Sequence, residues 1–463
     1  MEYKVIREKI YSYRDELVEK LSMLVRVPSI QSEAKPRAPF GESCAKVLEV
    51  AEEMFRAEGL STELHAESGY LLAKTAGEGN RLGLYGHADV VPVGTGWTLT
   101  EPFEPKIIDG FIVGRGAYDN KSGVVESLFA LRALRELGIA PKHRVTVYVG
   151  SNEESGMADI RNYVKEQEMP EVNLVPDCSY PAGRGEKGIL RFYAVGREKL
   201  RDVVGFSGGE AFNIILGEAG AEISCAGTDF AGSGGITAEY SYGILKLRAK
   251  GFSKHAADPE GSRNAGKLLA DAIFSGVSVC EGDREIMKNI SSMLDGYYGE
   301  GLGIVNSDPD FGKLTCSNGI VGLRDGHPIV SFDVRYGPSV GGDELESRIT
   351  ARLDELGFDF ELQSNRPGFV IDPNDRWLKT VVDAYHDCSG ESESEPVLNG
   401  GGTYARYLKN GISVGCACHR PRPFALPDGH GGCHQPDETV SVDGILDAAA
   451  ILAYMIMKVD AAE

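Results

Sequence analysis

Five short segments of this 463-residue sequence carry side chains that bind metals or move protons. Together they supply two histidines, three further carboxylates at ligand positions and one additional glutamate. A pair of divalent ions with a general base requires this set of groups for hydrolysis. The segments are residues 86–89, 117–120, 152–155, 176–177 and 433–438.

His87 and Asp89 follow an apolar run that predicts a strand over residues 82–87. Positions two apart on a strand point the same way. The Asp89 carboxylate can therefore accept the second ring N–H of His87 while the other ring nitrogen binds a metal. Ligation by both side chains is the alternative, and we favour the supporting role for Asp89.

Asp119 directly precedes a predicted helix over residues 122–137, in which apolar residues recur at helical spacing. A carboxylate in this position could simply cap the helix. The functional alternative is a bridge between two cations. Ions about 3.5–4 Å apart repel each other unless a shared anionic ligand screens them, and a carboxylate has two oxygens for this.

Glu153 and Glu154 follow a β-branched run that predicts a strand over residues 144–150. Adjacent side chains of extended backbone face different directions, so one glutamate can bind a metal while the other stays beside the bound water. We assign Glu154 as the ligand and Glu153 as the base. Asp177 follows another apolar run, and we expect four such strand ends, including that of Asp119, to converge at one sheet edge.

The loop that carries the fifth segment contains two candidate histidines. His434 is the preferred ligand, but His430 lies in the same glycine-rich loop and competes for the role. Glu438, four residues after His434, could support that histidine. The apolar helix predicted over residues 442–459 would anchor the loop near the sheet.

The overall composition narrows the class of protein. A formal charge of −21 argues against nucleic acid or an anionic membrane as partner, because such surfaces need clustered Lys and Arg. The N-terminal residues lack a signal-type apolar core, and no run approaches the length of a membrane span. We therefore predict a cytoplasmic protein that acts on small substrates.

The chain is longer than one hydrophobic core normally supports, so we expect two domains. Helical and strand patterns alternate in the first part, which predicts an α/β fold. We place this first domain at residues 1–182 and 373–463, interrupted by a second domain at residues 183–372. The predicted helices are 4–25, 42–58, 122–137, 377–386 and 442–459, and the predicted strands are 82–87, 144–150, 189–195, 242–249 and 412–418.

With these motifs, the chain resembles the dinuclear zinc metallopeptidase family of aminoacylases, carboxypeptidase G, acetylornithine deacetylase and Xaa-His dipeptidases. The likeness spans nearly the whole chain and is greatest to the bacterial dipeptidase V group. It is carried by residues 85–92, by 114–116 together with Asp119, by 152–156 and by 400–406.

The resemblance implies a mixed-sheet catalytic domain interrupted by an α+β lid domain at residues 183–372, and a role for each residue that matches the family's motifs. Glu153 would be the general base, with Asp89 supporting His87. A cis peptide bond is implied between Asp119 and Asn120. The implied metal ligands are His87 and Asp177 for one ion, Glu154 and His434 for the other, and Asp119 for both.

In the middle domain, residues 250–259 resemble the family's lid segment, where His255 would donate to the developing oxyanion. Asn213 is a possible further donor, and Arg335 resembles an arginine that grips the substrate's terminal carboxylate. A strand-edge salt bridge is the alternative for Arg335. The lid is long enough for two pseudo-repeated units, the second of which could replace a partner subunit, and this predicts a monomer.

The resulting hypothesis is a dipeptidase that hydrolyses short peptides, Xaa-His dipeptides among them, through a water activated by two metal ions and Glu153. Zinc is the expected metal, although manganese or cobalt suits the same ligands. Two other functions stay open. One is an N-acyl-amino-acid deacylase of the same family, and the other is a catalytically silent, metal-stabilised binding protein.

Overall fold

The computed structural model of the protein describes residues 2–209, 211–225, 230–232 and 234–462. Its helices are α1 (Tyr3–Tyr11), α2 (Arg14–Val25), α3 (Glu42–Ala57), α4 (Lys121–Glu136), α5 (Ala158–Glu166), α6 (Ala265–Gly276), α7 (Glu281–Met293), α8 (Gly342–Leu356), α9 (Arg376–Ser389), α10 (Val442–Ala461) and the 3-10 helix η1 (Tyr404–Tyr407).

The first strands in the chain are β1 (Ser61–His65), β2 (Tyr70–Lys74), β3 (Glu78–His87), β4 (Lys106–Ile108), β5 (Phe111–Val113), β6 (His143–Gly150), β7 (Val172–Cys178), β8 (Gly183–Glu186), β9 (Gly188–Gly196), β10 (Val203–Ser207), β11 (Glu218–Ser224) and β12 (Ile236–Ser241). They are followed by β13 (Ile244–Lys250), β14 (Ser307–Asp308), β15 (Gly312–Lys313), β16 (Thr315–Ser317), β17 (Val321–Arg324), β18 (His327–Tyr336), β19 (Phe358–Arg366), β20 (Phe369–Val370), β21 (Val397–Asn399), β22 (Gly411–Gly415) and β23 (Thr439–Ser441).

The chain divides into two compact units. Unit 1 comprises Met1–Arg184, Ile371–Val397 and Thr403–Glu463, and unit 2 comprises Gly185–Val370 and Leu398–Gly402. The short segment Leu398–Gly402 therefore groups with unit 2, although it lies inside the second part of the predicted catalytic domain.

Unit 1 is built on a mixed sheet, as the predicted fold class requires. Its strands follow the order β1-β2-β6-β3-β7-β22. The pairs β6–β3, β3–β7 and β7–β22 are parallel, whereas β1–β2 and β2–β6 are antiparallel. The parallel strands β6, β3 and β7 are buried over most of their length. This arrangement brings their carboxyl ends to one edge of the sheet.

Helices α4 and α10 carry much of the core of unit 1. Both contact β3 and each other, and most of their side chains are buried. Helix α4 ends at Glu136, and Gly138 follows with a φ of 71°, a left-handed conformation that glycine adopts without steric cost. The apolar faces of these helices hold β3, and therefore His87 at its end, in a fixed place.

The structure differs from two of the predicted elements. The predicted helix 4–25 is interrupted between Tyr11 and Arg14, so it forms two helices. At the interruption Tyr13 is buried, packs on Phe129 at 5.5 Å and donates to a carboxylate oxygen of Glu136 at 2.9 Å. No glycine or proline marks this break in the sequence.

The other difference concerns the predicted strand 412–418. It ends at Gly415, before Cys416 and Cys418. Ala417 adopts a φ of 56°, which is incompatible with an extended strand. The last three residues of the predicted strand therefore lie outside it.

Unit 2 contains two larger antiparallel sheets. One has the order β10-β11-β13-β12, with α6 packed on β11 and β13. The other has the order β16-β18-β9-β19, with β17 added to β18 and α8 packed on β19. The buried apolar side chains of these elements form a core of their own.

None of the helices in the described residues is both long enough and apolar enough to cross a membrane.

Gly150 provides a test of how tightly the strand ends are packed. A Cβ at this position would overlap the Tyr404 hydroxyl and a carboxylate oxygen of Asp159. We expect Gly150→Ala to lower the stability of unit 1 by about 1–3 kcal/mol through overpacking, measured as a lower thermal midpoint of the metal-free protein.

Gly282→Ala is the matched control. This glycine lies in α7, and nothing lies within 4 Å of a Cβ added there. The control should leave the midpoint unchanged or raise it slightly. Equal midpoints for the two variants would contradict the packing argument.

Candidate functional site

His87 lies at the buried end of β3. Its Nε2 atom is 3.2 Å from Oδ1 of Asp119 and 3.8 Å from Oδ2 of Asp177. Its other ring nitrogen, Nδ1, lies 3.1 Å from the main-chain oxygen of Asp89 and 3.5 Å from the Asp89 carboxylate. The ring Nδ1 atom thus lies nearer to the main-chain carbonyl of Asp89 than to the carboxylate that was expected to accept its N–H.

The Asp89 carboxylate instead holds the turn after β6. Its two oxygens accept the main-chain N–H groups of Glu153 and Glu154, each at 3.1 Å. The preceding N–H groups, of Ser151 and Asn152, both donate to Oδ2 of Asp159, at 2.8 and 2.9 Å. Two buried carboxylates thus fix four successive N–H groups at the point where the glutamates leave the sheet.

Asp159 was not predicted as a residue of the site. It is fully buried in the first turn of α5, and it also accepts a hydrogen bond from the Tyr404 hydroxyl. An acidic residue in a first turn is common at helix starts, so the sequence signal suggests only a helix terminus. Burial raises the pKa of Asp159 to about 6.

Asp119 comes from the turn before α4 and not from a strand end of the main sheet. The expectation of four converging strand ends was therefore wrong for this residue; β3, β6 and β7 contribute the other three. The Asp119–Asn120 peptide bond is cis, as the resemblance implied.

The Asn120 side chain connects two of the neighbouring segments. It accepts the main-chain N–H of His87 at 3.3 Å and donates to the Pro176 carbonyl and to Oδ1 of Asp177, at 2.6 and 3.1 Å. This buried amide thus links the ends of β3 and β7, a role that its sequence position does not reveal.

His434, and not His430, joins these carboxylates. The Nε2 atom of His434 lies 3.1 Å from Oε1 of Glu154 and 3.2 Å from Oδ2 of Asp119. His430 instead contacts Oδ2 of Asp437 through Nδ1, at 2.8 Å. The buried Asp437 carboxylate also accepts N–H groups from the segment at residues 98–99.

Glu438 does not support His434 in the way that its spacing suggested. Its buried carboxylate accepts hydrogen bonds from Arg115 and from the main-chain N–H groups of Gly116, Tyr118 and Asp119. Glu438 therefore holds the turn that carries Asp119 through hydrogen bonds.

Two groups of side chains in this region could each hold a metal ion. One comprises His87, Asp119 and Asp177, and the other comprises Asp119, Glu154 and His434. Asp119 belongs to both, with Oδ1 near His87 and Oδ2 near His434. Zinc bonds to nitrogen and oxygen of about 2.0–2.2 Å place neighbouring ligand atoms roughly 3.3 Å apart, so the observed separations fit such ions.

The pKa shifts of Asp119 and His434 also fit a site for cations. Burial would raise the pKa of Asp119, but contacts with His434 and His87 hold it below its usual value. Contacts with Asp119 and Glu154 raise the pKa of His434 to about 10. The carboxylates thus stabilise a positive charge at this position, which metal ions would supply in place of the protonated ring.

Glu153 belongs to neither group. Burial raises its pKa well above the usual value, although the nearby His87 opposes the shift. Its Oε1 atom is buried and has no hydrogen-bonding partner among the described residues. A buried carboxylate oxygen without a partner beside two ligand groups fits a site that also holds metal ions and water.

The remaining predicted residues lie in unit 2. A backbone bridge pairs Ile214 with His255, and the main-chain oxygen of Asn213 accepts the N–H of Ala256 at 2.9 Å. The structure therefore places the Asn213 and His255 segments side by side. His255 accepts the N–H of Ala257 at its Nδ1 atom, at 3.2 Å.

Arg335 is buried and forms a salt bridge within unit 2. Its Nε and Nη2 atoms donate to the two oxygens of the fully buried Asp333, at 2.5 and 3.1 Å, and Nη1 donates to the carbonyl of Gly400 at 3.2 Å. Arg191 donates to the same Asp333 carboxylate at 2.8 Å. The salt bridge that was the alternative expectation for Arg335 is thus present, although it is buried in the interior of unit 2.

Comparison with known proteins identifies the family. Residues 83–458 match Peptidase family M20/M25/M40. The chain is 28% identical over 468 residues to a protein of Staphylococcus epidermidis named "Putative dipeptidase", and the alignment covers 96% of this chain and 97% of that protein. A protein of Staphylococcus haemolyticus with the same description is also 28% identical, over 469 residues, with 96% and 97% covered.

Solved structures show the same fold. The chain is similar to human carnosine dipeptidase 1 with a TM-score of 0.61 at 14% identity, covering 99% of this chain and 98% of that one. The chain belongs to Peptidase family M20/M25/M40, which confirms the predicted resemblance. It is therefore a hydrolytic enzyme of a metal-dependent family, with a mixed α/β fold.

Substitution of the two loop histidines tests which of them binds metal. We expect zinc-loaded wild-type protein to contain two ions per chain, His434→Ala to lose one of them, and His430→Ala to keep both. Inductively coupled plasma mass spectrometry after gel filtration gives the stoichiometry. Loss of an ion from His430→Ala with full retention by His434→Ala would reverse the assignment.

Proposed function

We propose that the protein is a metal-dependent dipeptidase that hydrolyses the amide bond of short peptides, Xaa-His dipeptides among them. The observation that carries this proposal is that the two oxygens of Asp119 face two separate candidate ligand groups, beside Glu153, whose buried Oε1 atom has no partner among the described residues. The name of the staphylococcal relative supports dipeptides as the substrate class.

The ligands proposed for the two ions follow from the two groups. His87 and Asp177 would hold one ion, Glu154 and His434 the other, and Asp119 both. Zinc is the proposed metal because nitrogen and carboxylate ligands suit it, and manganese or cobalt could occupy the same sites. When bound, the ions would polarise the scissile carbonyl and make the attacking water more acidic.

Glu153 is the proposed proton carrier. Its carboxylate takes a proton from the water that attacks the scissile carbonyl carbon, and it delivers that proton to the amine nitrogen as the C–N bond breaks. A carboxylate with a raised pKa is a stronger base for the first step than an ordinary glutamate, and the more basic amine nitrogen still accepts the proton in the second. Asp89 and Asp159 keep the turn that carries Glu153 in place through its N–H groups.

Residues of unit 2 would complete substrate recognition. We propose that His255 donates to the carbonyl oxygen as negative charge develops on it, with Asn213 as a further donor. Arg335 is the proposed partner of the substrate's terminal carboxylate, and its salt bridge with Asp333 fixes the plane of the guanidinium group.

The domain assignment and the oligomeric state are also proposals. We assign the catalytic domain to residues 1–182 and 373–463, and the lid to residues 183–372 with two pseudo-repeated units. The two antiparallel sheets of unit 2, each with a helix packed on it, support two such units. We accordingly propose a monomeric, cytoplasmic enzyme.

Replacement of Glu153 tests the mechanism. We expect Glu153→Gln to keep both metal ions but to lower kcat on dipeptides by about 10²–10⁴-fold, because the proton carrier is lost. Turnover is measured by amine release, and metal content is measured on the same samples. Glu101→Gln, which changes an exposed glutamate of unit 1, is the matched control and should behave as wild type.

The substrate class needs a separate measurement. We expect the zinc-, manganese- or cobalt-reconstituted enzyme to hydrolyse dipeptides with a free amino group and to leave their N-acetylated counterparts intact. Preferential hydrolysis of N-acetyl or N-succinyl amino acids would make the protein a deacylase. A fully metal-loaded wild-type protein that cleaves none of these amides would contradict an enzymatic role.

A further inference from the structure

Glu438 is a fully buried carboxylate whose two oxygens both accept hydrogen bonds from a single turn. Oε2 accepts from Nη1 of Arg115 at 2.7 Å and from the N–H of Gly116 at 3.0 Å. Oε1 accepts from the N–H groups of Tyr118 and Asp119, at 2.9 and 3.1 Å. The side chain thus satisfies three main-chain donors of the residues that lead to the shared aspartate.

The main chain of Glu438 is joined to the same turn. Its carbonyl oxygen accepts the N–H of Gly114 at 3.0 Å, and the next residues form β23, which pairs with β5 directly before that glycine. Because His434 lies four residues earlier on the same loop, Glu438 connects the segment that carries His434 with the turn that carries Asp119.

Arg115 explains how a buried carboxylate is tolerated so close to the ligand groups. Both partners are almost fully buried, with relative exposures of 1% for Arg115 and 0% for Glu438. The guanidinium group neutralises Glu438, so this carboxylate adds little repulsion to Asp119 and its neighbours. An uncharged hydrogen-bond acceptor in place of Glu438 would leave Arg115 as an uncompensated buried charge.

We propose that Glu438, paired with Arg115, is a positioning residue that sets the orientation of the Asp119 carboxylate as the shared metal ligand. The N–H of Asp119 is fixed by Oε1 of Glu438, so its Cα and side chain leave the turn in one direction, with one oxygen toward His87 and the other toward His434. This inference rests on the proposed two-metal site, but it concerns metal binding and not the identity of the substrate.

Substitution by glutamine tests the proposal. Glu438→Gln keeps the size of the side chain, but it removes the charge and turns one acceptor into an NH₂ donor that faces N–H groups. We expect at least one ion to bind about 10–100-fold more weakly, the range typical for the loss of a supporting contact. Titration of the metal-free protein with cobalt(II) alone, followed by calorimetry and by the visible absorption of the bound ion, measures both affinity and ligand geometry.

Asp308→Asn is the matched control. Asp308 is a buried carboxylate of unit 2 that accepts main-chain N–H groups from Asp310, Phe311 and Ser339, each at 2.9 Å. It lies in none of the candidate ligand groups found among the described residues. We expect this variant to lower the thermal midpoint while it binds two cobalt ions with the wild-type affinity and spectrum.

Glu438→Asp is measured in parallel, because it keeps the charge opposite Arg115 and covers the case in which Glu438→Gln does not fold. Its shorter side chain cannot reach every donor, so we expect an altered cobalt spectrum with a smaller loss of affinity than for glutamine. For variants that turn over substrate, kcat should fall while KM stays nearly constant.

Wild-type affinities and spectra in a folded Glu438 variant would overturn the proposal, as would an equal loss of cobalt binding in Asp308→Asn. Failure of the proposed function would give a different result. In that case the wild-type protein binds two cobalt ions and Glu438→Gln still lowers the cobalt affinity, but no peptide is cleaved.

Discussion

The rest of the site depends on one electrostatic constraint, which is the gathering of four carboxylates in a largely buried space. Asp177, Glu153 and Glu154 at the ends of the central strands, and Asp119 from the turn before α4, lie around His87. Two like charges about 4 Å apart repel each other by roughly 4 kcal/mol when the effective dielectric constant is near 20. Cations between the carboxylates remove this penalty, and the structure is organised to hold the carboxylates where cations can bridge them.

A further set of buried carboxylates does much of this organising. Asp159 and Asp89 accept successive main-chain N–H groups of residues 151–154, and Glu438 accepts those of the turn before Asp119. Each of them fixes a backbone segment, and Asp159 and Glu438 also accept hydrogen bonds from the side chains of Tyr404 and Arg115. Candidate ligands held in this way are already oriented in the metal-free protein, which would lower the cost of assembling a metal site.

The sequence predicted those parts of the fold that have local signals. The apolar runs before His87, Glu153 and Asp177 identified three strand ends, and helical spacing identified α4 and α10. The break after Tyr11 was missed because it depends on the burial of Tyr13 against Phe129, a contact between residues far apart in the chain. Propensity alone carries no information on such packing.

The same limit applies to the site. Residue types and spacing were sufficient to list the side chains that form the two candidate ligand groups, because metal binding needs few kinds of side chain. They did not reveal Asp159, nor that Glu438 supports Asp119 and not His434. These contacts join residues as much as 323 positions apart. Hydrogen bonds to main-chain N–H groups leave no trace in the identity of the donor residue.

Anomalous X-ray scattering from crystals of the zinc-loaded wild-type protein would test the central claim most directly. The account predicts two zinc peaks about 3.5–4 Å apart, one oxygen of Asp119 on each ion, and His434 on one of them. A single zinc peak would contradict the account, as would two peaks that do not share Asp119 or a ligand set in which His430 replaces His434.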